Sequence, residues 1–598
     1  MKLRIPALVA ALVFAYLLPY TLDSYAIHVV DVALIFALLA IGLGLVMGIA
    51  GQVNLAQVAF SGVGAYTTAL LTTQAGLGFW TAAVLALLAA AAAGLVVGLP
   101  ALRVQSHYLG IVTLGLALAF LNWITNTTLA GGADGVSAIP VPPLFGVDLS
   151  DEYLYYYLEV VVFAVAMGFG LFVVATPLGR RLRAMRDDPL AAGAVGAEIP
   201  YLRMVAFLLA SLYGGLAGVL YAGLIRYVAP ESFSVANMFL LLAMVIVGGR
   251  QSLWGCVVGA IGLSLIREYL SDFSTYAQLG YGVVVVLMVV FAPTGLAGVP
   301  ARLMARRRRE QARAVLQPFE PYHPIEDGVH GQGALEIRRL SMYFRGVKAL
   351  HEVSFRVEPG EIHGVVGPNG SGKTTLFNVV SGLYKATAGE VLLDGRVISG
   401  ARPYQLSHLG IARTFQNLRL FRDLTVRDNV LVALDRTRTW SIWRYGLWQF
   451  GVWQQDRGLK QEADRLLGRF GLSDYADALP PSLPYGIQRR IEIARAMAVS
   501  PRVLLLDEPA AGLNGDEVQQ LARIVRSIRD SGVTVVVIEH NMGLVMSLCE
   551  RVTVLASGQI IADGIPADVV ANPAVIEAYL GGESMSAEPM TIPAEVQK

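Results

Sequence analysis

Roughly 300 residues of almost uninterrupted membrane-type sequence precede the octet Gly367-Pro-Asn-Gly-Ser-Gly-Lys-Thr374. The octet fits the phosphate-binding loop pattern G-x-x-x-x-G-K-[ST]. Few folds can hold both features, because one half of the chain is solvated by lipid and the other must present a loop to a nucleotide. A nucleotide engine on the same chain as a bundle of spans implies that chemical energy is spent on something in the bilayer.

Charge divides the chain at the same place. Residues 1–300 carry 11 Lys+Arg and 13 Asp+Glu, whereas residues 301–598 carry 35 and 32. The net charge of +1 averages two solvents and implies no nucleic-acid partner. The two cysteines, Cys256 and Cys549, sit in different halves, which rules out a disulfide framework. The division reads as a transmembrane permease-like domain over 1–300, a basic, Pro- and Gly-containing linker over 301–334, a nucleotide-binding domain over 335–582 and a disordered tail over 583–598. Four consecutive arginines at 306–309 suit anionic headgroups, so membrane lipid is an expected partner.

Apolar runs near 5–21, 29–48, 53–73, 79–100, 108–125, 153–176, 202–224, 236–248, 254–266 and 277–293 predict about ten spans of a ~30 Å hydrocarbon core. Backbone groups in lipid must be satisfied internally, so these are helices. The run from Ile5 follows Lys2 and Arg4 as in a signal peptide, but lacks a clear cleavage site and is read as a retained first span. Gln52, Asn54, Gln57 and Ser61 make the segment 51–73 too polar to face lipid. It either lines a pathway as a broken helix or packs closely through Gly62, Gly64 and Ala65. Glu159 is read as a snorkelling interfacial residue rather than an ion site.

The second half carries the partners that the phosphate loop needs. A buried strand, Gly360-Glu-Ile-His-Gly-Val-Val366, leads into the loop, whose backbone N–H groups converge on phosphate oxygens together with the following helix N-terminus. Gly367, Pro368, Asn369, Gly370, Ser371, Gly372, Lys373, Thr374 and Thr375 are therefore the nucleotide-binding candidates. Lys373 is placed for the β- and γ-phosphates and Thr374 for Mg²⁺. A second strand, Val503-Leu-Leu-Leu-Asp507-Glu508, ends in two acids, Asp507 for the metal and Glu508 to polarise the attacking water. A third, Thr534 to Ile538, runs into His540, positioned to sense the γ-phosphate.

With Gln416 and the stretch Leu483-Pro-Tyr-Gly-Ile-Gln-Arg-Arg490, these motifs resemble the ATP-binding cassette ATPases in order and spacing. The resemblance implies that Tyr485, Gly486 and Gln488 belong to a signature that completes the ATP site of an opposing subunit. It makes Gln416 the residue linking Mg²⁺ to the membrane contacts, and Phe344 the aromatic that stacks on adenine. Arg413-Thr-Phe-Gln-Asn-Leu-Arg-Leu-Phe421, Asp507 to Asn514 and Ile538-Glu-His-Asn-Met542 look like the ATPase of branched-chain amino acid importers. Gly51-Gln-Val-Asn-Leu-Ala56, His107 to Leu114, Gly131 to Ser137 and Gly179 to Pro189 are similar to the matching permease.

The fold class implied is multidomain: a polytopic α-helical membrane permease followed by an α/β P-loop ABC ATPase domain with a helical subdomain. The implied activity is ATP hydrolysis driving import of branched-chain or other hydrophobic amino acids, with ATP and Mg²⁺ as cofactors. The implied partners are a second permease subunit, a second ATPase subunit, an extracytoplasmic substrate-binding protein and the amino acid. The implied location is the cytoplasmic (inner) membrane, with the ATPase in the cytoplasm. Gly179 to Pro200 then reads as a coupling segment docked on the ATPase. Competing readings are a urea or short-amide importer of the same architecture, an exporter, and an ATP-gated channel.

Two positions depart from the family pattern. Pro484 stands where a serine hydroxyl is usual, and Asn514 replaces an aspartate. The loss at Pro484 falls on the site formed with the partner's phosphate loop, where the Gly486 backbone can still serve. Trp440, Trp443, Trp448 and Trp453, four of the seven tryptophans, suit either a membrane interface or packing within the ATPase.

Loop 126–152 has no Lys or Arg, whereas 177–203 holds Arg180, Arg181, Arg183, Arg186 and Arg203. The excess of basic residues places 177–203 in the cytoplasm. After replacement of Cys256 and Cys549, a cysteine at Gly132 is expected to react with an impermeant maleimide on intact cells, and one at Ala194 to stay unlabelled. The opposite pattern inverts the topology.

Overall fold

The computed structural model describes residues 15–102, 106–144, 147–271, 282–283, 286–287, 290–291, 295–298, 333–435 and 449–580. They form two compact units: one from the membrane-type sequence up to Asp187 and from Glu198 to Ala314, the other from Val315 to Lys598 together with Asp188–Ala197.

In the first unit, helices follow the apolar runs: α1 (Ser24–Leu43, continuing as a π-helical turn over Gly44–Ile49), α2 (Gln57–Thr73), α3 (Phe79–Ala101), α4 (Ser106–Asn126) and α5 (Glu152–Ala175). After the short helix α6 (Pro177–Asp187), and α7 (Pro189–Ala194) of the second unit, come α8 (Ile199–Ile225), α9 (Val235–Gly248) and α10 (Leu253–Ser271) of the first. Among the described residues six helices are long and apolar enough to cross a membrane, namely α1, α3, α4, α5, α8 and α10. The expected spans near 53–73 and 236–248 are the shorter helices α2 and α9, of 17 and 14 residues. Those near 5–21 and 277–293 fall largely outside the described residues, as do Trp440, Trp443, Trp448 and nearly all of the 301–334 linker.

Small residues set how closely these helices approach. A Cβ on Gly218 of α8 meets the Ser61 carbonyl oxygen of α2 at 2.0 Å, and one on Gly64 of α2 meets the Gly215 carbonyl oxygen at 2.4 Å. The two backbones are thus in contact, as the close-packing reading of 51–73 expects. The polar side chains of that segment turn inward on the protein. Asn54 donates to Gln57 Oε1 at 3.1 Å, Gln57 donates to the Ala210 carbonyl at 2.9 Å, and Asn54 Oδ1 accepts from the Ala56 N–H. Glu159 corrects its sequence reading: it is 1% exposed and lies between helices rather than snorkelling to an interface, because α5 presents that face to α1.

The second unit is built on two sheets. An antiparallel sheet joins β1 (Leu335–Phe344), β2 (Val347–Val357), β4 (Ala388–Leu393) and β5 (Arg396–Val397) in the order β2-β1-β4-β5. The other has the order β10-β9-β3-β8-β7-β6, from β3 (Ile362–Val366), β6 (Ile411–Arg413), β7 (Val503–Asp507), β8 (Thr534–Ile538), β9 (Arg551–Ala556) and β10 (Gln559–Gly564). β3, β7 and β8 are buried along their whole length and pair in parallel. Continuous apolar runs of this kind are what a sheet covered on both faces requires. The register Ile538↔Asp507 and Ile538↔Val365 sets the three carboxyl ends side by side. Helix α11 (Lys373–Val380) leaves the first of these ends. Helices α13 (Val426–Leu434), α14 (Gln449–Arg469) and α15 (Tyr485–Met497) form the helical subdomain, following the short α12 (Pro403–Leu409).

Overpacking of a well-fitted contact costs about 1–3 kcal/mol. Gly218→Ala is therefore expected to lower the thermal unfolding midpoint of the detergent-solubilised chain. Gly262→Ala on α10, where an added Cβ meets nothing within 4 Å, is expected to leave it unchanged. Equal midpoints for both variants contradict the contact.

Candidate functional site

The phosphate loop follows β3 at the shared carboxyl edge of the sheet. Gly367, Gly370 and Gly372 have φ of 149°, 80° and 103°, which glycine adopts without strain and which turns successive N–H groups toward one point. Lys373 is buried, and its Nζ donates to the carbonyls of Gly367 (2.7 Å) and Pro368 (2.9 Å). Burial lowers its pKa, with the carboxylates of Glu508 and Asp507 opposing the shift. Asn369, Gly370 and Thr374 are exposed, Ser371 is buried, and Pro368 and Thr375 are half-buried.

Glu508 sits one residue past β7 with φ of 44°, a left-handed conformation that costs a non-glycine residue about 1–3 kcal/mol. Its N–H donates to the Ile538 carbonyl at 2.9 Å, which pins the strained turn to β8. Both carboxylate oxygens are held. His540 Nε2 lies 2.8 Å from Oε1, and Gln416 Nε2 donates to Oε2 at 2.9 Å. The structure thus brings together Gln416, Glu508 and His540 from three separate strand ends.

Asp507 is 1% exposed. Oδ2 accepts from Arg413 Nη2 at 2.8 Å, while Oδ1 is buried and has no hydrogen-bond partner. Burial raises the Asp507 pKa, against the lowering effect of Arg413. An orphaned, half-neutralised carboxylate oxygen beside the phosphate loop fits a divalent cation, which takes oxygen ligands.

Phe344 and Tyr485 are exposed, and Phe344 packs edge-on against Tyr384 with centroids 5.4 Å apart. Pro484 is the N-cap of α15 and supplies no side-chain cap, while Gln488 donates to the Leu483 carbonyl at 2.8 Å. None of the described hydrogen bonds joins Tyr485, Gly486 or Gln488 to the phosphate loop. Asn514 caps α16 (Gly515–Asp530) and forms a capping box with Glu517, so the amide does locally what an aspartate does at a helix N-terminus.

Two groups that motif reading passes over hold these parts in place. Arg489 is 1% exposed and donates to the carbonyls of Phe415 (2.9 Å), Gln416 (3.3 Å) and Glu508 (3.0 Å). Its charge is balanced by Glu492, which also accepts from the Phe415 N–H. The Arg-x-x-Glu spacing on one helix face is visible in sequence, but its burial is not. Arg413, besides Asp507, donates to Asn378 Oδ1 and Ser381 Oγ at 2.7 Å each.

The expected coupling segment divides between the units. Asp188 Oδ1 caps α7 by accepting from the Ala191 N–H, and Oδ2 accepts from Arg419 Nη1 at 2.7 Å. Arg419 lies over the Phe415 ring, one residue from Gln416, and its carbonyl accepts from the buried Arg495.

Three family profiles match the chain. The branched-chain amino acid transport system / permease component matches residues 25–292, the ABC transporter residues 350–511, and the branched-chain amino acid ATP-binding cassette transporter residues 559–584. The chain is 41% identical over 248 residues to the high-affinity branched-chain amino acid transport ATP-binding protein BraF of Pseudomonas aeruginosa, covering 41% of this chain and 97% of that protein. It is 40% identical to the ATP-binding protein LivG of Escherichia coli K12, over 42% of this chain and 98% of LivG. It is 35% identical to the transport system permease protein LivM of the same organism, over 48% of this chain and 74% of LivM. The permease profile covers the membrane-type half and the ABC transporter profile the cassette, so the chain belongs to the branched-chain amino acid ABC transporter family, with a membrane permease and an ATP-hydrolysing cassette fused in one polypeptide.

Proposed function

We propose that the chain imports branched-chain or other hydrophobic amino acids across the cytoplasmic membrane, as one permease–ATPase half of a heteromeric importer. A second permease subunit, a second ATPase subunit and an extracytoplasmic binding protein complete it. The observation that carries the reading is the fixed Glu508 carboxylate at the end of β7, on a chain that also holds the permease. A urea or short-amide substrate is not favoured, since relatives of both halves are named for branched-chain amino acids.

In this reading Phe344 stacks on adenine, and the N–H groups of the phosphate loop take the phosphate oxygens. Lys373 exchanges its contacts with the Gly367 and Pro368 carbonyls for the β- and γ-phosphates. Thr374, Gln416 and Asp507 would hold Mg²⁺, which would supply charge neutralisation for phosphoryl transfer. Glu508 orients the attacking water and draws its proton, while His540 and Gln416 keep the carboxylate aimed. Tyr485, Gly486 and Gln488 serve the partner's nucleotide, so the missing hydroxyl at Pro484 makes the two sites unequal. Arg489 connects the Gln416 and Glu508 carbonyls, and Arg419 carries the change to Asp188 on the coupling segment.

The test is uptake of radiolabelled leucine into vesicles containing the complex assembled with its binding protein, with urea as the competing substrate. ATP-dependent leucine uptake supports the reading, and uptake of urea alone overturns the substrate assignment. Glu508→Gln is expected to keep ATP binding and cut hydrolysis on the order of 10²-fold or more, the range for a positioned acid–base group. Near-normal turnover in the assembled variant removes Glu508 from the role.

A further inference from the structure

Two acids in the membrane-type unit have no place in the nucleotide chemistry. Asp31 on α1 is 0% exposed and Glu159 on α5 is 1% exposed. Among the described residues, no hydrogen-bond donor reaches any of their four carboxyl oxygens. The two helices pack together and start at one end, where Ser24 Oγ bonds to Glu152. Each acid stands seven residues beyond that contact, about 10 Å of helical rise, so the two lie at the same depth on packed helices.

Among the described residues, neither acid takes part in a hydrogen bond or an ion pair. Tyr155 and Tyr156 of α5 donate to the carbonyls of Leu220 and Ala15 instead. On α10, Glu268 is engaged by Tyr25, and on α8 the Tyr213 hydroxyl is spent on the Ala166 carbonyl. Glu152 at the helix end is the other acid acting on Asp31, with the half-exposed His28 4.0 Å from it. His28 stands one turn before Asp31 on the same helix, so titratable groups run from the exposed end of α1 and α5 inward to the buried pair.

We propose that Asp31 and Glu159 form a proton-binding site in the permease, in which each buried carboxylate takes up a proton to become a neutral carboxylic acid. An ionised carboxylate in an apolar site with neither donor nor counter-ion is far costlier than a protonated one. Ca²⁺ or Mg²⁺ is the poorer occupant, because each takes six or more ligands and no third acid, His or Cys completes a cluster among the described residues. The site is independent of the ATPase assignment, since it rests on the permease helices alone.

The experiment treats the purified full-length chain with dicyclohexylcarbodiimide, an apolar reagent that converts protonated carboxyls sheltered from water to stable acylureas, and locates adducts by peptide mass spectrometry. Adducts are expected at Asp31 or Glu159 at neutral pH and lost at alkaline pH. Asp31→Asn is expected to leave Glu159 reactive while shifting the pH at which its labelling disappears, a change that a merely structural acid does not produce. No adduct at either residue, or labelling indifferent to pH, overturns the proposal. Protection by sodium chloride relative to choline chloride at fixed pH also overturns it, in favour of a sodium site.

Discussion

Arg489 is the group on which the geometry of the ATPase depends. A guanidinium in an almost dry interior must be balanced and must spend its donors; parts of the site balance the charge and take the N–H groups of both terminal nitrogens, while Nε has no hydrogen-bond partner among the described residues. Glu492 supplies the charge from one turn along the same helix, and the carbonyls of Phe415, Gln416 and Glu508 take the hydrogen bonds. The helix that opens with the signature, the loop that carries Gln416 and the turn that carries Glu508 are thereby fixed to one another. Displacing any of them leaves a buried charge or a buried donor unpaired, which costs several kcal/mol. This is how a left-handed φ at Glu508 is maintained. The strain is local, while the restraint comes from three elements.

The permease uses the opposite chemistry. Lipid gives helices no hydrophobic reason to associate, so contact comes from close approach of backbones and from shared polar groups. Gly64 and Gly218 provide the first, between α2 and α8, and Asn54 and Gln57 the second, with Gln57 reaching the Ala210 carbonyl across the same interface. The same rule makes Asp31 and Glu159 conspicuous, since their oxygens are buried between α1 and α5 without any such exchange.

Local signals carried most of the architecture into the sequence. The buried strands β3, β7 and β8 are continuous apolar runs ending in Gly367, Asp507 and the approach to His540, and their parallel pairing follows from burial on both faces. Among the described residues span positions followed hydropathy, although α2 begins only at Gln57, after the polar start of the run near 53–73. What could not be read was pairing across the chain. Glu159 resembles an interfacial residue because only its distance from the helix end is visible, whereas its burial depends on which helix covers it. Arg413 appeared within a family motif, but its grip on Asp507, 94 positions away, is a property of β6 lying beside β7.

The departures from the family pattern divide by the same physical test. Asn514 keeps the one function its position demands locally, because an amide oxygen caps α16 as a carboxylate does and Glu517 closes the box from the other side. Pro484 cannot keep its own. It fits the α15 N-cap sterically, with φ of −56°, but brings neither a cap nor a hydroxyl. Its cost is therefore invisible in the fold of this chain, where Arg489 and Gln488 still anchor the start of the helix. In the proposed importer it falls on a nucleotide held by another subunit, and a partner whose corresponding stretch keeps its hydroxyl would leave this chain's own phosphate loop fully served.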